Sequence, residues 1–491
     1  MNLMKKIFSL LLLTALFQCA IAQTATFTIG NDSKEVCVKK TNISRTNWIG
    51  TNGNSVYLIQ DLLRSPKGIF LTRYDEGLTP QARQELQESD ERTFLGGFVN
   101  SDGVDLLILD QSKTQLKASV QRYDLQTLQP VGSPRVLKEF KFNDNDRHDF
   151  TIADSPDGEL TAALYLVQTE GRGVEVQASL YDNTFEEYWQ MDCPLRVMND
   201  FFVTDSGEVL IGGYYTKKND KKTYFELSYM DGDRQRLFQF DREMGDLRSM
   251  DIVRVSGDRI ILTGIVQDPN KTSHKRLIAS ALYALTYNMK TQCIENFDKH
   301  EFTIREESLM AQMRSSEKEG KRSIEFLDFY AMTNDGEGTV VGYRQNYVTT
   351  SNGLPVCKNY NGIFLMRLDK NGSIAWTQVV RTLSMSKIFS NNICRPNMAS
   401  VNGKTMIVLA DYPSNKDPEH SKIQKVYTPC GSGASLNVVW IDRNGNIERQ
   451  QFKLAGKPAI VGRPHRNGDS QYKLLLTSGS KSWIGTLDIN R

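Results

Sequence analysis

Recurring glycine turns, a spacing near 50 residues and alternating apolar runs predict an all-β fold for this 491-residue chain. The first five turn glycines follow one another at 50, 55, 49 and 50 residues, and the later ones at 79, 67 and 65. Short apolar, β-branched runs that suit strands follow each turn, and helical periodicity is scarce. This pattern is typical of a β-propeller, and eight turns predict eight four-stranded blades, with seven as the alternative. The turn glycines are Gly53, Gly103, Gly158, Gly207, Gly257, Gly336, Gly403 and Gly468.

A second run in each unit ends in an apolar or aromatic residue followed by Asp or Asn. These pairs are Tyr74-Asp75, Tyr123-Asp124, Tyr181-Asp182, Met230-Asp231, Tyr287-Asn288, Leu368-Asp369, Ile441-Asp442 and Leu487-Asp488. The last unit has no room for a fourth strand after Asp488. Residues 24–29 alternate Thr with apolar side chains, so we expect this N-terminal strand to close the ring and remove the free sheet edge.

The N-terminus has the features of a secretory signal over residues 1–22. Lys5 and Lys6 precede an apolar core, and Ala20-Ile21-Ala22 forms a small-residue cleavage site. We expect a single propeller domain over residues 23–491 that is exported to the periplasm or beyond as a soluble protein. Lipid attachment at Cys19 is the less favoured alternative, because Gln18 occupies a position that lipoprotein signals give to a small residue. No later apolar run is long enough to span a bilayer.

The charge balance argues against a nucleic-acid partner. The chain has 60 Lys and Arg against 58 Asp and Glu, and removal of Lys5 and Lys6 leaves 58 against 58. A protein that binds nucleic acid needs a basic surface to displace counterions. We therefore expect no nucleic-acid partner, and we expect a monomer.

One hairpin resembles the repeat of the PQQ-type bacterial propellers, whose pattern is roughly Asp-x-x-Gly-x-x-x-Trp. Asp369, Gly372 and Trp376 match it, and residues 442–445 repeat its first half, with Arg449 in place of the tryptophan. The resemblance implies a WD40-like or PQQ-like architecture. Proteins with such repeats include quinone-dependent dehydrogenases and non-catalytic scaffolds of the outer membrane. The dehydrogenases carry a vicinal disulfide, and no Cys-Cys pair occurs here, which argues against a quinone enzyme.

The connections predicted on one face of the propeller are much longer than those on the other. In each blade we expect strands A to D from the inside outward, with short A–B and C–D turns on one face. The B–C loops over 217–223, 268–275, 345–361 and 411–434, and the D–A connector over 308–322, lie on the opposite face. Insertions gathered on one face of a repeat ring favour a binding face there.

Six cysteines remain after the signal segment, and the sequence divides them into two groups. Cys357, Cys394 and Cys430 fall in the long loops and are disulfide candidates, because exported proteins form disulfides. Three pairings are open, each of which leaves one cysteine unpaired. Cys37, Cys193 and Cys293 lie in predicted strands of different blades, where we expect buried thiols.

An acidic residue recurs at the start of strand A and predicts a ring near the channel mouth. Its members are Asp149, Asp200, Asp251 and Asp328, with Asn47 and Asn397 in similar places. The ring could bind calcium or sugar hydroxyls. The favoured interpretation is that each Asp accepts backbone N–H groups of the D–A turn above it.

Tyrosines form the second group of candidate ligand-binding residues. Tyr214, Tyr215, Tyr347, Tyr360, Tyr412 and Tyr427 lie in or beside the long loops. Exposed tyrosines can stack on sugar rings, although packing at strand ends is their commoner role. No catalytic motif, dinucleotide fingerprint or zinc-ligand spacing is present, so we expect no catalytic residue, no metal and no cofactor, calcium excepted.

These observations predict a non-catalytic binding or scaffold module. Its ligand, a glycan or an envelope protein, would contact the loop-rich face of blades four to seven. The alternative is a carbohydrate-active enzyme, a glycoside hydrolase or lyase, that uses the same face. An enzyme needs an acid or base with a shifted pKa there, whereas a scaffold does not.

Overall fold

The structure is a computed structural model that describes most residues of the expected domain. The described residues are 25–29, 43–53, 55–62, 68–75, 79–87, 89, 91–141, 147–155, 158–169, 173–216, 222–243, 247–267, 278–311, 324–325, 327–351, 354–387, 397–411, 426–427, 435–453, 459–466, 471–478 and 481–489. The predicted signal segment and Cys37 lie outside them. No helix in these ranges is long and apolar enough to cross a membrane.

The described strands form eight antiparallel sheets of four strands, which confirms the all-β propeller class. Within a sheet, consecutive strands lie side by side, so each sheet is a simple meander. Sheet 1 contains β2 (Ile43–Asn52), β3 (Ser55–Leu62), β4 (Gly68–Tyr74) and β5 (Pro80–Leu86). Sheet 2 contains β6 (Arg92–Val99), β7 (Val104–Gln111), β8 (Gln115–Tyr123) and β9 (Pro130–Lys141). Sheet 3 contains β10 (Arg147–Asp154), β11 (Leu160–Thr169), β12 (Gly173–Asp182) and β13 (Glu187–Leu195). Sheet 4 contains β14 (Asp200–Val203), β15 (Val209–Thr216), β16 (Lys222–Met230) and β17 (Gln235–Glu243).

Two of the remaining four sheets carry an additional two-residue strand. Sheet 5 contains β18 (Asp251–Ser256), β19 (Arg259–Gln267), β20 (Ile278–Asn288) and β21 (Cys293–Glu301), with β22 (Ile324–Glu325) beside β20. Sheet 6 contains β23 (Leu327–Asn334), β24 (Gly338–Ser351), β25 (Leu354–Asp369) and β26 (Ile374–Lys387), with β29 (Val426–Tyr427) beside β26. Sheet 7 contains β27 (Asn397–Val401), β28 (Lys404–Asp411), β30 (Ser435–Ile441) and β31 (Ile447–Lys453). Sheet 8 contains β32 (Ala459–Arg466), β33 (Gln471–Ser478), β34 (Lys481–Ile489) and β1 (Ala25–Ile29).

The N-terminal strand supplies the fourth strand of sheet 8, as the sequence predicted. β1 pairs antiparallel with β34, from Ala25 opposite Ile489 to Ile29 opposite Gly485. Because β34 is the last strand of the chain, its outer edge would otherwise be an unpaired sheet edge. The two ends of the chain thus meet in one sheet.

The core lies between neighbouring sheets, and each middle strand contributes to two core layers. In β15, Val209 and Ile211 pack toward sheet 3, whereas Leu210 packs toward sheet 5. In β19, Ile260 and Leu262 pack toward sheet 4, and Ile261 packs toward sheet 6. A strand that is buried on both faces needs apolar residues at every position, which explains the continuous apolar runs in the sequence.

Clusters of this kind join each sheet to the next from sheet 1 through to sheet 8. The first strands of the meanders also meet, as β2 does with β6 and β14 does with β18. β32 of sheet 8 in turn contacts β2 of sheet 1. Strand A is therefore the inner strand of a sheet, and strand D the outer one.

Among the described residues, one helix interrupts the strands, and the scarcity of helical periodicity did not predict it. α1 spans Ile304–Ala311 and overlaps the start of the connector predicted as a loop over 308–322. It packs against β26 and β22, so this D–A connection is a folded element in its described part.

Candidate functional site

Sheet 6 extends beyond its blade on the face where the B–C loops lie. The sequence predicted a loop over 345–361, but the structure has two long strands there, β24 and β25, of 14 and 16 residues. Their pairing continues from Gln345 opposite Asn361 to Ser351 opposite Leu354. β26 runs alongside, so that Asn361 lies opposite Leu383 and Cys357 opposite Lys387. We call residues 345–351, 354–361 and 383–387 the arm. Seven strand residues span about 23 Å.

The arm also accepts a strand from the next sheet. β29 belongs to the connection between β28 and β30 of sheet 7, which the sequence predicted as a long loop. It pairs in parallel with β26, with Ser384 opposite Val426 and Met385 opposite Tyr427. The arm of sheet 6 and the β28–β30 connection of sheet 7 are therefore paired with each other.

Three of the six predicted tyrosines lie on this arm or on the strand paired with it. Tyr347 is opposite Asn359, and Tyr360 is opposite Asn346, on the neighbouring strands β24 and β25. Tyr427 lies on β29. Tyr412 lies outside the described residues.

The other two tyrosines lie on β15 of sheet 4 and serve packing. Burial raises the pKa of Tyr214 to about 12. The Tyr215 hydroxyl accepts a hydrogen bond from Arg196 Nη1 at 3.1 Å, and its ring stacks on Tyr224 with centroids 5.4 Å apart. The guanidinium of Arg196 also lies over the Tyr215 ring. Tyr215 is therefore held by its neighbours in this structure.

Two of the acidic residues at the start of strand A, Asp200 and Asp149, accept backbone N–H groups that lie outside the D–A turn. Asp200 Oδ2 accepts the N–H of Ile252 at 2.7 Å, and Ile252 lies on the inner strand of sheet 5. Asp149, which is exposed, accepts the N–H of Phe150. Neither donor lies in the D–A turn above. Asp200 thus joins two sheets at their inner strands, and burial raises its pKa to about 6.

Asp251 lies among buried tyrosine hydroxyls that the sequence did not single out. The Tyr343 hydroxyl donates to Thr263 Oγ1 at 2.8 Å and also contacts the Asp251 carboxylate. The Tyr283 hydroxyl donates to the carbonyl of Ser249 at 3.3 Å. Burial, with the charge of Asp251 added, raises the pKa of both hydroxyls well above their usual range. Tyr283 and Tyr343 lie in apolar runs of the sequence, and such runs predict core residues.

The described residues do not gather the acidic ring into a metal site. No group of three or more His, Cys, Asp or Glu side chains in these ranges could hold an ion. Asp328 and Asn397 begin strand segments of sheets 6 and 7, but only their backbones are described. Calcium binding remains a prediction, which a melting curve with and without EDTA would test.

The cysteine prediction is correct in part. Cys193 is a buried free thiol on β13. Cys293, on the outer strand β21, is a free thiol too, but it is exposed rather than buried. Cys357 lies on β25 within the arm, whereas Cys394 and Cys430 lie outside the described residues, so the disulfide pairing remains a prediction.

Comparisons with known proteins give no family for this chain. No family model matches it, and no curated protein does. Several solved structures resemble it weakly. An oligogalacturonate lyase from Vibrio parahaemolyticus is 9% identical, with 96% of this chain and 98% of that chain covered and a TM-score of 0.37. The CNH domain of AfRom2 is 8% identical, with 95% and 100% covered and a TM-score of 0.34. The WD40 domain of SCAP from fission yeast is 8% identical, with 95% and 94% covered and a TM-score of 0.27. TM-scores this low support no argument about function.

Proposed function

We propose that this chain is an exported, non-catalytic binding module that docks an envelope protein through the arm. The observation that carries the proposal is the extension of β24, β25 and β26 beyond sheet 6. A propeller blade needs no such extension to bury its own core. We infer that strands which continue past the core serve contact with a partner.

The finer architecture belongs to the same proposal. We take the eight sheets as eight blades of one ring and one domain over residues 23–491. The core clusters between successive sheets and the contact of β32 with β2 support a single closed ring. A ring of this kind holds the arm on a rigid base, which lowers the entropic cost of binding.

Two features of the arm favour a protein partner over a glycan. Its sequence over 345–361 is rich in Asn, Tyr, Thr and Ser, the residue types that antibody paratopes use for adaptable contacts. β29 already pairs with the outer edge of β26, which indicates that this edge accepts an added strand. Strand addition to a sheet edge is a common mode of peptide recognition.

Site-specific crosslinking in cells tests the proposal. A photoreactive amino acid replaces Tyr347 or Tyr360 on the arm, and the matched control replaces Tyr188, which is 62% exposed on sheet 3. We expect both arm positions to crosslink one and the same envelope protein and the Tyr188 position to give none. Equal products from all three positions, or none from the arm, would contradict arm docking. A polysaccharide that raises the melting temperature while the arm gives no crosslink would favour the glycan.

A carbohydrate-active enzyme is the second candidate, and Asp200 is the observation that favours it. Its pKa of about 6 suits a general acid near neutral pH. Its hydrogen bond to Ile252, however, gives the carboxyl group a structural role as well. In a polysaccharide panel, the enzyme predicts product release that Asp200→Asn abolishes and that Asp149→Asn, in the exposed ring member, leaves unchanged. No product from the unmodified protein on any polysaccharide would count against this candidate.

A further inference from the structure

A polar cleft opens at the junction of sheets 1 and 2, away from the arm. Its cavity measures about 610 Å³, within the range of ordinary small-molecule sites. The walls come from Gln87, Ser89, Glu91 and Arg92 and from the facing ends of β7 and β8. The nine described lining residues are all polar or charged, so the cleft offers many hydrogen-bonding groups beside the methylene groups of their side chains.

Backbone hydrogen bonds hold the two sides of the cleft in place. The N–H of Gln111, at the end of β7, donates to the carbonyl of Glu91 at 2.6 Å. Ser89 and Arg92 form an isolated antiparallel bridge, with the Arg92 N–H 3.1 Å from the Ser89 carbonyl. The connection between β5 and β6 is thereby tied to β7. Because the wall is already ordered, ligand binding does not carry the entropic cost of ordering it.

A forked ion pair lies in this wall. Arg92 Nε donates to Asp110 Oδ1 at 2.5 Å, and Arg92 Nη2 donates to Asp110 Oδ2 at 3.0 Å. The two side chains are 40% and 29% exposed. A guanidinium has five N–H groups, and the fork uses two of them, so three donors remain beside the outer lone pairs of the carboxylate. Fixed donors and acceptors thus stand next to each other in one plane.

Among the described lining residues of the cleft, acidic and basic side chains are equal in number. Glu91 and Asp110 are acidic, and Arg92 and Lys117 are basic. Gln87 and Gln111 are exposed, and within the described ranges their amide groups have no protein hydrogen-bond partner. Each amide can donate and accept. A site with no net charge and with paired donors and acceptors suits a ligand whose groups also do both.

We propose that this cleft binds a neutral sugar, a monosaccharide or a short oligosaccharide. Each hydroxyl of a sugar donates one hydrogen bond and accepts others. Two neighbouring hydroxyls of the sugar would contact the Arg92–Asp110 fork. Its further hydroxyls would contact the Gln87 and Gln111 amides. The described lining residues have no excess of either charge that would favour an anionic or a cationic sugar. The site is separate from the arm and stands independently of the proposed function.

Titration calorimetry on the full exported chain tests the cleft. The probes are neutral trisaccharides of glucose, mannose and galactose, with trigalacturonate and chitosan trimer as charged comparisons. The test variant is Gln87→Ala/Gln111→Ala. The control is Gln126→Ala/Gln129→Ala, which removes two exposed amides from the C–D turn of the same sheet, on the opposite face, where they bond to Arg73 and Gln84 of sheet 1.

We expect one neutral trisaccharide to bind, with about tenfold weaker affinity in the test variant, since each lost amide contact removes about one ordinary hydrogen bond. The control variant should bind as the unmodified protein does. Melting temperatures of both variants check that they fold. Tighter binding of a charged trimer, or equal affinity in the two variants, would overturn the proposal. So would the absence of binding by every neutral trisaccharide at a concentration ten times a Kd of about 1 mM. A failed crosslink at the arm would leave this result unaffected.

Discussion

The C–D turns join neighbouring sheets through single residues. The indole of Trp376 in sheet 6 donates its N–H to the carbonyl of Arg443 in sheet 7 at 2.9 Å. The same ring lies against Gly445, where a Cβ would be 3.1 Å from the indole. Trp189 in sheet 3 has the same relation to Gly232 in sheet 4. The glycine thus serves both the turn, with a positive φ, and the close approach of the tryptophan.

The Asp that starts these turns caps them. Asp442 Oδ1 accepts the N–H groups of Asn444 and Asn446, and Asp369 accepts those of Asn371 and Ser373. For Asp442, burial raises the pKa, but the hydrogen bonds from Asn446 and Asn444 outweigh it and leave the pKa below its usual value. The Asp that recurs at the end of strand C, as Asp369 and Asp442 do, is therefore a turn residue and not part of a binding site.

Substitution of Gly232 by Ala tests the tryptophan contact, and Gly336→Ala is the matched control. Both glycines have a positive φ, 89° and 85°. A Cβ on Gly232 would be 2.7 Å from Trp189, whereas nothing lies within 4 Å of a Cβ on Gly336. We expect Gly336→Ala to lower the free energy of unfolding by about 1–2 kcal/mol for backbone strain, and Gly232→Ala by about 1–3 kcal/mol more for overpacking. Urea unfolding measures both. Equal losses would show that Trp189 moves aside freely.

The fold explains one departure from the tryptophan pattern. Arg449 stands where the PQQ-type hairpin has its tryptophan. Sheet 8 has no C–D turn, because its C strand ends the chain and its D strand begins it. A tryptophan at 449 would have no turn glycine to pack on. Arg449 instead donates to the carbonyl of Arg381 at 3.1 Å and lies 3.6 Å from the buried carboxylate of Asp411.

At the scale of elements, α1 links sheets 5 and 6 through its first turn. Thr303 Oγ1 accepts the N–H of Glu306 at 3.2 Å, and the Glu306 carboxylate accepts the N–H of Thr303 at 2.8 Å, which is a capping box. The same carboxylate contacts His300 Nε2 at 2.9 Å, on β21, and accepts a hydrogen bond from Thr377 at 2.7 Å, on β26. Burial would raise the pKa of Glu306, but these hydrogen bonds, led by that of His300, lower it to about 2.

Glu306→Gln should therefore destabilise the protein in a pH-dependent way. A carboxyl whose pKa is lowered on folding stabilises the folded state above its ordinary pKa of 4.5, and this contribution is lost as the pH falls toward 2. We expect the variant to unfold about 1–2 kcal/mol more easily at pH 7, with a smaller difference at pH 3. Urea unfolding at the two pH values measures it.

Glu307→Gln is the control for this experiment, because it changes the neighbouring residue of the same helix turn. Its effect should stay below about 0.5 kcal/mol at both pH values, the size of a helix-dipole interaction. A Glu306→Gln loss that is the same at pH 7 and pH 3 would rule out the ionised carboxylate as its source.

At the scale of the whole molecule, the ring depends on its closure. Each sheet buries its core against its two neighbours, so a sheet without a neighbour would expose an apolar face. The five residues of β1 complete sheet 8 and hold the two chain ends together. The stability of sheet 8 thus depends on a strand about 460 residues away from β34 in the sequence. Pairing between strands so far apart in the chain forms slowly.

Removal of β1 should weaken this closure. A chain that begins at Gly30 lacks the five cross-strand pairs, and a chain that begins at Ala25 keeps them. At roughly 0.2–1 kcal/mol for each pair, we expect a loss of about 1–5 kcal/mol, and aggregation through the open edge of β34. Thermal unfolding and light scattering compare the two chains. The same melting temperature and the same monodisperse scattering would contradict closure by β1.

The sequence alone determined the class of fold, the four-strand meander and the closing strand. Turn glycines, capping Asp residues and apolar runs are local signals, because they report a residue's own backbone conformation and burial. Gly445 and Asp442 could be read in this way, and so could the period-two pattern of residues 24–29.

Only the tertiary structure decided what depends on a neighbouring sheet. Residues 345–361 lack an apolar pattern, and residues 345–351 and 354–361 form strands because the blade beneath them sets their pairing. The partner of Asp200 is Ile252, 52 residues away on another sheet, and of two cysteines on outer strands Cys193 is buried and Cys293 is exposed. The cleft combines residues of a connection and of two strands. Spacing along the chain carries no information about such contacts, because the packing of one sheet against the next creates them.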